Sequence, residues 1–259
     1  MLVHHMNGAG NDFIVMDARG QKLDFAPLAV ELCKLTGADG FLALDDSDCT
    51  DFRLHFYNSD GLRGEMCGNG ARCICRYAYE LGIAGESMVI QTDAGLVRGQ
   101  RISETVYRVE LNLPSVIDPN RLPNAAYVEL GNPGIPHSVT EIPGLSWQMR
   151  EDLRPFARDM RHNAAFPKGT NANFYTWVDD TTVRILTYER GVEDYTLACG
   201  TGSASVAVTL FKEGKFPGGA LTVKNPGGDL TITLKTDGKA LSALFLEGPA
   251  EIEKIMDIC

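Results

Sequence analysis

Short β-type runs rich in apolar residues dominate the chain, separated by turns of Gly, Pro, Asn and Asp. They predict strands over residues 12–16, 52–57, 88–92, 106–111, 173–178, 183–188, 220–223, 230–234 and 241–247. Helical spacing is rarer. It predicts helices over 28–35, 150–160, 203–212 and 71–81, the last with Ile74, Ala78 and Leu81 on one face. Strand outweighs helix, so the expected class is α+β. No low-complexity tract or long linker interrupts the pattern.

The order of these signals repeats. Phe56-Tyr57-Asn58-Ser59-Asp60-Gly61 precedes Met66-Cys67-Gly68-Asn69-Gly70 and a helix, then a strand and turn at Gly95. Leu186-Thr187-Tyr188-Glu189-Arg190-Gly191 likewise precedes Ala198-Cys199-Gly200-Thr201-Gly202 and a helix, then a strand and turn at Gly228. Cys67 lies 28 residues before Gly95, and Cys199 lies 29 before Gly228. Asn11 before Asp12-Phe13 also echoes Asn171 before Ala172-Asn173-Phe174. Two diverged copies of one unit, divided near residues 114–121, account for the shared order. The expected domains are residues 1–115 and 116–245.

Composition narrows the class. The 259 residues leave room for two modest domains, each with its own core. Lys and Arg number 24 against 34 Asp and Glu, a net charge of −10, which argues against a nucleic-acid or anionic-membrane surface. Seven cysteines is an odd count, unlike a secreted disulfide scaffold. Residues 1–10 lack the apolar core of a signal peptide, and no run approaches the ~18 apolar residues of a membrane span. Cys259 ends the sequence, so it is not part of a prenylation box. The expectation is a soluble cytoplasmic protein with reduced thiols.

Each Cys-Gly-x-Gly lies between a predicted strand and a predicted helix. Glycines let the chain turn sharply and leave its N–H groups uncovered. At a helix N-terminus those groups lack intrahelical partners and the dipole is positive, a setting that binds carboxylate or phosphate and favours a thiolate. The N–H groups of Gly68, Asn69, Gly70, Gly200, Thr201 and Gly202 are the candidate anion cradle. Inverting a carbon centre by proton transfer requires a base on one face and an acid on the other, which a thiolate and a thiol supply symmetrically. Cys67 and Cys199 are the candidate pair. Other readings are weaker. Cys67, Cys73 and Cys75 do not have zinc-ligand spacing, and no metal is expected. The sixth positions of the two Gly-x-Gly patterns are Cys73 and Ser205, where a dinucleotide fingerprint has Gly or Ala. A Cys67–Cys199 disulfide would be an oxidised, inactive form. Cys33, Cys49, Cys73, Cys75 and Cys259 are expected to be buried packing residues.

These residues fall into a known pattern. Met6 to Phe13, Gly37-Ala38-Asp39-Gly40, Asn58-Ser59-Asp60-Gly61, Met66 to Arg72, Gly131-Asn132-Pro133, Asn171, Glu189-Arg190-Gly191 and Ala198 to Gly202 occur in the order seen in diaminopimelate epimerases. The chain resembles that family over nearly its whole length. The same wider fold serves proline racemase-like enzymes and isomerases of the phenazine pathway type. The resemblance implies two pseudo-symmetric domains, each a strand-rich roll around a central helix, with the active site in the cleft between them. It implies that residues 246–259 pack back on the first domain. It also implies an isomerase that needs no pyridoxal phosphate or other cofactor and acts on an amino acid in lysine and peptidoglycan-precursor synthesis. Closure over the substrate is expected separately, because thiol chemistry at carbon is helped by excluding water. Cys67 and Cys199 would be its acid and base, and Asn11 would help hold the substrate. Asn58, Asn132, Asn171, Glu189 and Arg190 would read the distal amino-carboxylate end, where a guanidinium fork suits a carboxylate. A homodimer is left open.

Two segments depart from the family pattern. Gly131-Asn132-Pro133-Gly134-Ile135-Pro136-His137 stands where the family has Gly-Asn-Pro-His, and the segment around Glu193-Asp194-Tyr195 is about one residue longer. Either Asn132 or His137 keeps its family position. A racemase of another amino acid, such as histidine, stays open. So do an acyl transferase or hydrolase using one Cys with His137 or His162, and a non-catalytic module binding anions at the two cradles.

Overall fold

The computed structural model describes residues 1–64, 66–238 and 240–258. The chain divides into two compact units, one of Met1–Glu110 with Glu247–Cys259 and the other of Leu111–Leu246.

The first unit contains β1 (Leu2–Gly8), β2 (Asn11–Asp17), α1 (Phe25–Thr36), β3 (Gly40–Asp45), β4 (Phe52–Asn58), the short β5 (Arg63–Gly64), α2 (Gly68–Glu80), β6 (Ser87–Thr92), β7 (Gly95–Arg101) and β8 (Val106–Leu111). β1 pairs antiparallel with β2, β2 parallel with β3, β3 antiparallel with β4, β4 parallel with β6, and β6 antiparallel with β7. A parallel pair needs a long crossover, and α1 and α2 occupy the two crossovers.

The second unit contains β9 (Pro114–Leu122), β10 (Ala125–Gly131), β11 (Gly134–Glu141), α3 (Arg150–Arg161), β12 (Asn171–Asp179), β13 (Thr182–Glu189), β14 (Asp194–Thr196), α4 (Gly200–Lys212), β15 (Gly219–Asn225) and β16 (Gly228–Asp237). Its pairings run in the same sequence: β10–β11 antiparallel, β11–β12 parallel, β12–β13 antiparallel, β13–β15 parallel, β15–β16 antiparallel. β17 (Ala240–Pro249) returns the chain to the first unit, where β18 (Glu251–Asp257) pairs with β1.

Each unit is built around one helix. α2 buries every residue from Asn69 to Cys75, with Tyr77 and Ala78. It packs on β1, β2, β3 and β7. α4 buries Gly200 and every residue from Gly202 to Leu210, and packs on β9, β10, β11, β12 and β16. A helix enclosed on all sides cannot carry one apolar stripe, so the small residues Gly, Ala, Ser and Cys replace the usual amphipathic pattern. The mixed, strand-rich α+β class matches the sequence reading.

Every expected strand and helix falls within or closely overlaps an observed element, and several strands were not anticipated. β1 carries His4 and His5 amid its apolar residues, yet His4 is buried edge-on against Tyr77 at 4.9 Å between ring centroids. β10 is buried at all seven positions, so it shows no alternation. β18 is mostly exposed, with Glu and Lys where an inner strand would be apolar. The echo between Asn11 and Asn171 does not correspond to equivalent places. Asn11 begins β2, reached by a hairpin, whereas Asn171 begins β12, reached through α3; by pairing order the counterpart of β2 is β11. Among the packing cysteines, Cys33, Cys73 and Cys75 are buried, but Cys49 is exposed in the loop between β3 and β4. The expectation for Cys259 lies outside the described residues.

Candidate active site

Both cysteines occupy the same local position, the residue immediately before a buried helix. Cys67 caps α2 with extended backbone (φ −128°, ψ 123°), and Cys199 caps α4 likewise (φ −123°, ψ 107°). The Cys67 carbonyl accepts from Ala71 N–H at 2.7 Å, and the Cys199 carbonyl from Ser203 N–H at 2.9 Å. The Cys199 sulfur accepts from Gly202 N–H at 3.4 Å and lies 3.5 Å from the Thr201 hydroxyl. Cys67 is half-buried and Cys199 buried.

In the first unit the loop is tied to its neighbours by amides. The buried Asn69 donates through Nδ2 to Asn11 Oδ1 in a short bond. Asn11 Nδ2 donates to Asp39 Oδ2 at 3.3 Å, which also accepts Asp12 N–H at 3.0 Å. The Asp39 carbonyl takes Ser59 N–H at 3.1 Å. Asn58, exposed at the end of β4, pairs in register with Gly40 and closes the Asn58–Gly61 turn. Asn11, Asn58 and Asn69 are therefore joined through Asp39 and its neighbours. Gly8 allows β1 to pass close to α2: a Cβ there would lie 2.9 Å from the Asn69 carbonyl oxygen.

In the second unit Asn173 is the organising side chain. It is fully buried, and its Nδ2 donates to the carbonyls of Ser138 (2.9 Å) and Asn171 (3.1 Å), with His137 Nδ1 at 3.2 Å. Its Oδ1 accepts from the Thr187 hydroxyl at 2.9 Å. A Cβ on Gly202 would fall 2.3 Å from that Oδ1 and 3.0 Å from Thr187 Oγ1. The first turn of α4 thus rests directly on this network, and only glycine leaves room for it. Asn171 links the network to Arg190: its Oδ1 accepts Arg190 N–H at 2.8 Å, and its Nδ2 donates to the Pro136 carbonyl at 3.0 Å. The exposed Arg190 guanidinium donates from Nη1 to the Lys168 carbonyl.

Charge states follow from burial. Burial pushes the Glu189 carboxyl above its ordinary range, with the neighbouring Thr196 opposing. His137 is driven down to about 3, first by burial and then by the Arg190 charge, so it is neutral. Burial pushes Cys33 up to about 11 and Cys73 up to about 12, so these thiols stay protonated and unreactive.

The two departing segments take definite forms. Gly131 pairs with Gly134, so Asn132 and Pro133 are the tip of the β10–β11 hairpin, joined by a cis peptide. His137 is in no loop; it lies in β11, in register with Asn171 across a parallel pair. Asn171, Asn173, His137, Thr187, Arg190 and Gly202 are thereby brought together, whereas Asn132 sits at the hairpin tip, five residues before His137. The segment at 193–195 closes a tight β13–β14 turn, where Glu193 N–H meets the Glu189 carbonyl at 2.8 Å. His162 is exposed after α3, 3.7 Å from Glu193. Sequence reasoning gave no role to Asn173 and Thr187. Their signal was the two-residue strand period, which puts Asn173 on the same face as Asn171 and Thr187 on that of Glu189.

The profile of the family described as diaminopimelate epimerase matches residues 3–109 and 130–253. A diaminopimelate epimerase of Aquifex aeolicus is 35% identical, covering 94% of this chain and 92% of the relative. One of Chlorobaculum tepidum is 34% identical, covering 95% and 96%. Among solved structures, a PhzF-family phenazine biosynthesis protein of Bacillus anthracis superposes with a TM-score of 0.74 at 16% identity, covering 100% and 99%. A probable proline racemase of Agrobacterium radiobacter gives 0.69 at 16% identity, covering 100% and 92%. The structural likenesses establish a shared fold.

Proposed function

The chain belongs to the diaminopimelate epimerase family, and from that premise we propose that it interconverts LL- and meso-diaminopimelate by two-base proton transfer between Cys67 and Cys199. The observation that carries this reading is the matched placement of the two thiols, each capping a buried, glycine-started helix at the same step of a repeated topology.

The reaction calls for the two sulfurs on opposite faces of one α-carbon. The thiolate removes the α-proton while the opposite thiol delivers its proton to the other face. The configuration inverts and the protonation states of the sulfurs exchange. Negative charge developing on the substrate carboxylate is met by the N–H groups of Gly68, Asn69, Gly70, Gly200, Thr201 and Gly202, whose dipoles are already oriented. Asn11, Asn58, Asn132, Asn171, Glu189 and Arg190 are the proposed holders of the remaining substrate, with Arg190 on the distal carboxylate and Glu189 on the ammonium. An ammonium beside Glu189 restores the ionised form that burial disfavours. No cofactor is required, because the carboxylate and the N–H cradle take the charge. The proposal includes a cytoplasmic setting, which keeps both thiols reduced, and leaves a homodimer to be tested by light scattering.

Deuterium incorporation tests the reaction. Either isomer incubated in deuterated water without cofactor is expected to lose its α-proton signal. A panel including histidine checks the substrate. Absence of exchange with every amino acid overturns the reading, as does full interconversion by Cys67→Ser or Cys199→Ser.

A further inference from the structure

The two cysteine loops share a backbone but differ in charge. Five residues after Cys67 stands Arg72; five after Cys199 stands Ala204. Both are completely buried. The Arg72 side chain points back toward the start of α2, as helical side chains do. Its Nη1 donates to the Gly68 carbonyl at 3.3 Å and its Nε to the Pro249 carbonyl at 3.4 Å. Its Nη2 has no hydrogen-bond partner. Among the described residues no carboxylate pairs with it.

A buried cation without a counter-ion is costly, and a fold tolerates it where something compensates. Among the described residues, the other charged and titratable groups of the elements packed on α2 are committed elsewhere or uncharged. Arg76 is engaged with Glu80 and Glu251. Asp12, from β2, accepts from Asn7 and lies near His5. His4, from β1, has its proton affinity lowered by burial, while Asp45 of β3 pairs with His55. On β7, Arg98 and Arg101 face Glu110 and Glu86. Among the described residues, the groups whose negative form acts electrostatically on Arg72 are Cys73, Cys67 and Cys75. Of these, burial keeps Cys73 and Cys75 protonated.

We propose that Arg72 is a positioning residue that stabilises the thiolate of Cys67, so that of the two thiols Cys67 is the one that rests ionised. Both sulfurs cap a helix and receive the same dipole, so the dipole alone cannot distinguish them. The guanidinium, present behind one loop and replaced by a methyl group behind the other, does. The inference rests on the two-base reading, but its test needs no turnover and so can fail separately from it.

The test is the pH dependence of alkylation by iodoacetamide, followed by peptide mass for Cys67 in a Cys199→Ala protein and for Cys199 in a Cys67→Ala protein. Cys67 is expected to have its midpoint on the order of one pH unit or more below that of Cys199. Equal midpoints, or a higher one for Cys67, overturn the proposal without any change at Arg72. Arg72→Met is then expected to raise the Cys67 midpoint by a similar amount, about a tenfold loss of thiolate at lower pH. Arg72→Lys should recover most of it. Arg76→Met, which also unties α2 from the segment at 250–251, should leave the midpoint unmoved. A folded Arg72→Met protein with an unshifted midpoint also overturns the proposal.

Discussion

Gly202→Ala should be among the more damaging single-methyl additions in the protein. The new Cβ would stand 2.3 Å from Asn173 Oδ1, and Asn173 cannot swing away cheaply. Its amide donates to the carbonyls of Ser138 and Asn171 and faces His137, while its oxygen accepts from Thr187, all in a fully buried setting. Overpacking of a tight core costs about 1–3 kcal/mol. Leaving one buried polar group unsatisfied adds a similar amount. The expected loss is about 2–6 kcal/mol, read as a fall in the urea midpoint at unchanged slope. Turnover should also fall, because Gly202 N–H is the donor to the Cys199 sulfur. The decisive measurement is the double-mutant cycle with Asn173→Ala. Asn173→Ala alone destabilises by opening the network, but it removes the atom that Gly202→Ala strikes. Adding the methyl in that background should cost less than about 1 kcal/mol, a coupling of at least about 1 kcal/mol. A full additive cost in the double variant, or less than about 0.5 kcal/mol for Gly202→Ala alone, refutes the packing argument.

Three further outcomes are expected. His137 accepts a proton only near pH 3 when folded but near 6.5 when unfolded, so the unfolded state binds more protons between these values. Stability should therefore fall as pH drops from about 6.5 towards 3, at up to about 1.4 kcal/mol per unit from this group; His137→Gln should flatten the urea-stability profile there, and an unaltered slope contradicts the assignment. With the raised Glu189 carboxyl ionising to hold an ammonium, Glu189→Gln should raise KM for diaminopimelate and remove one ionisation from the acid side of the kcat/KM profile; an unchanged KM and acid limb argue against that role. Timed alkylation of the folded protein near pH 8 should mark the exposed Cys49 well before Cys33, Cys73 or Cys75, and equal rates would contradict the described burial.

What the sequence made legible is what depends on local pattern. A Cys followed by Gly-x-Gly at the start of an apolar helical run is enough to locate both thiols at helix caps, because backbone turning and helix polarity are set within a few residues. The strands with clean alternation were equally accessible. What escaped depends on partners distant in the chain. Nothing near His137 says it is buried; that follows from α3 carrying Asn171 back into register beside it. Asp39 and Asn173 each organise their own unit's loop through hydrogen bonds to residues far away in sequence. Cys49 was misjudged by residue-type tendency alone, although it sits in the polar loop Asp45-Asp46-Ser47-Asp48-Cys49-Thr50-Asp51, whose composition points to solvent.

The repeat itself poses a chemical requirement. Two copies of one unit give two identical cradles and two equivalent sulfurs, but a two-base inversion begins with one sulfur protonated and the other not. Repulsion between like charges disfavours the doubly ionised pair, but identical surroundings do not select which sulfur keeps the proton. Divergence where charge is felt makes that selection, while the backbone stays common. That is the pattern found: Arg72 behind one cap and Ala204 behind the other, with the neutral His137 and the protonation-prone Glu189 confined to the second unit. Under the proposed reaction, the first unit favours an anion and the second tolerates a neutral thiol. Each turnover inverts this preference and the return of the proton restores it, so the electrostatic difference must be modest enough to be overcome by substrate. A single buried cation that no carboxylate among the described residues opposes, acting on a half-buried sulfur, is a device of that size.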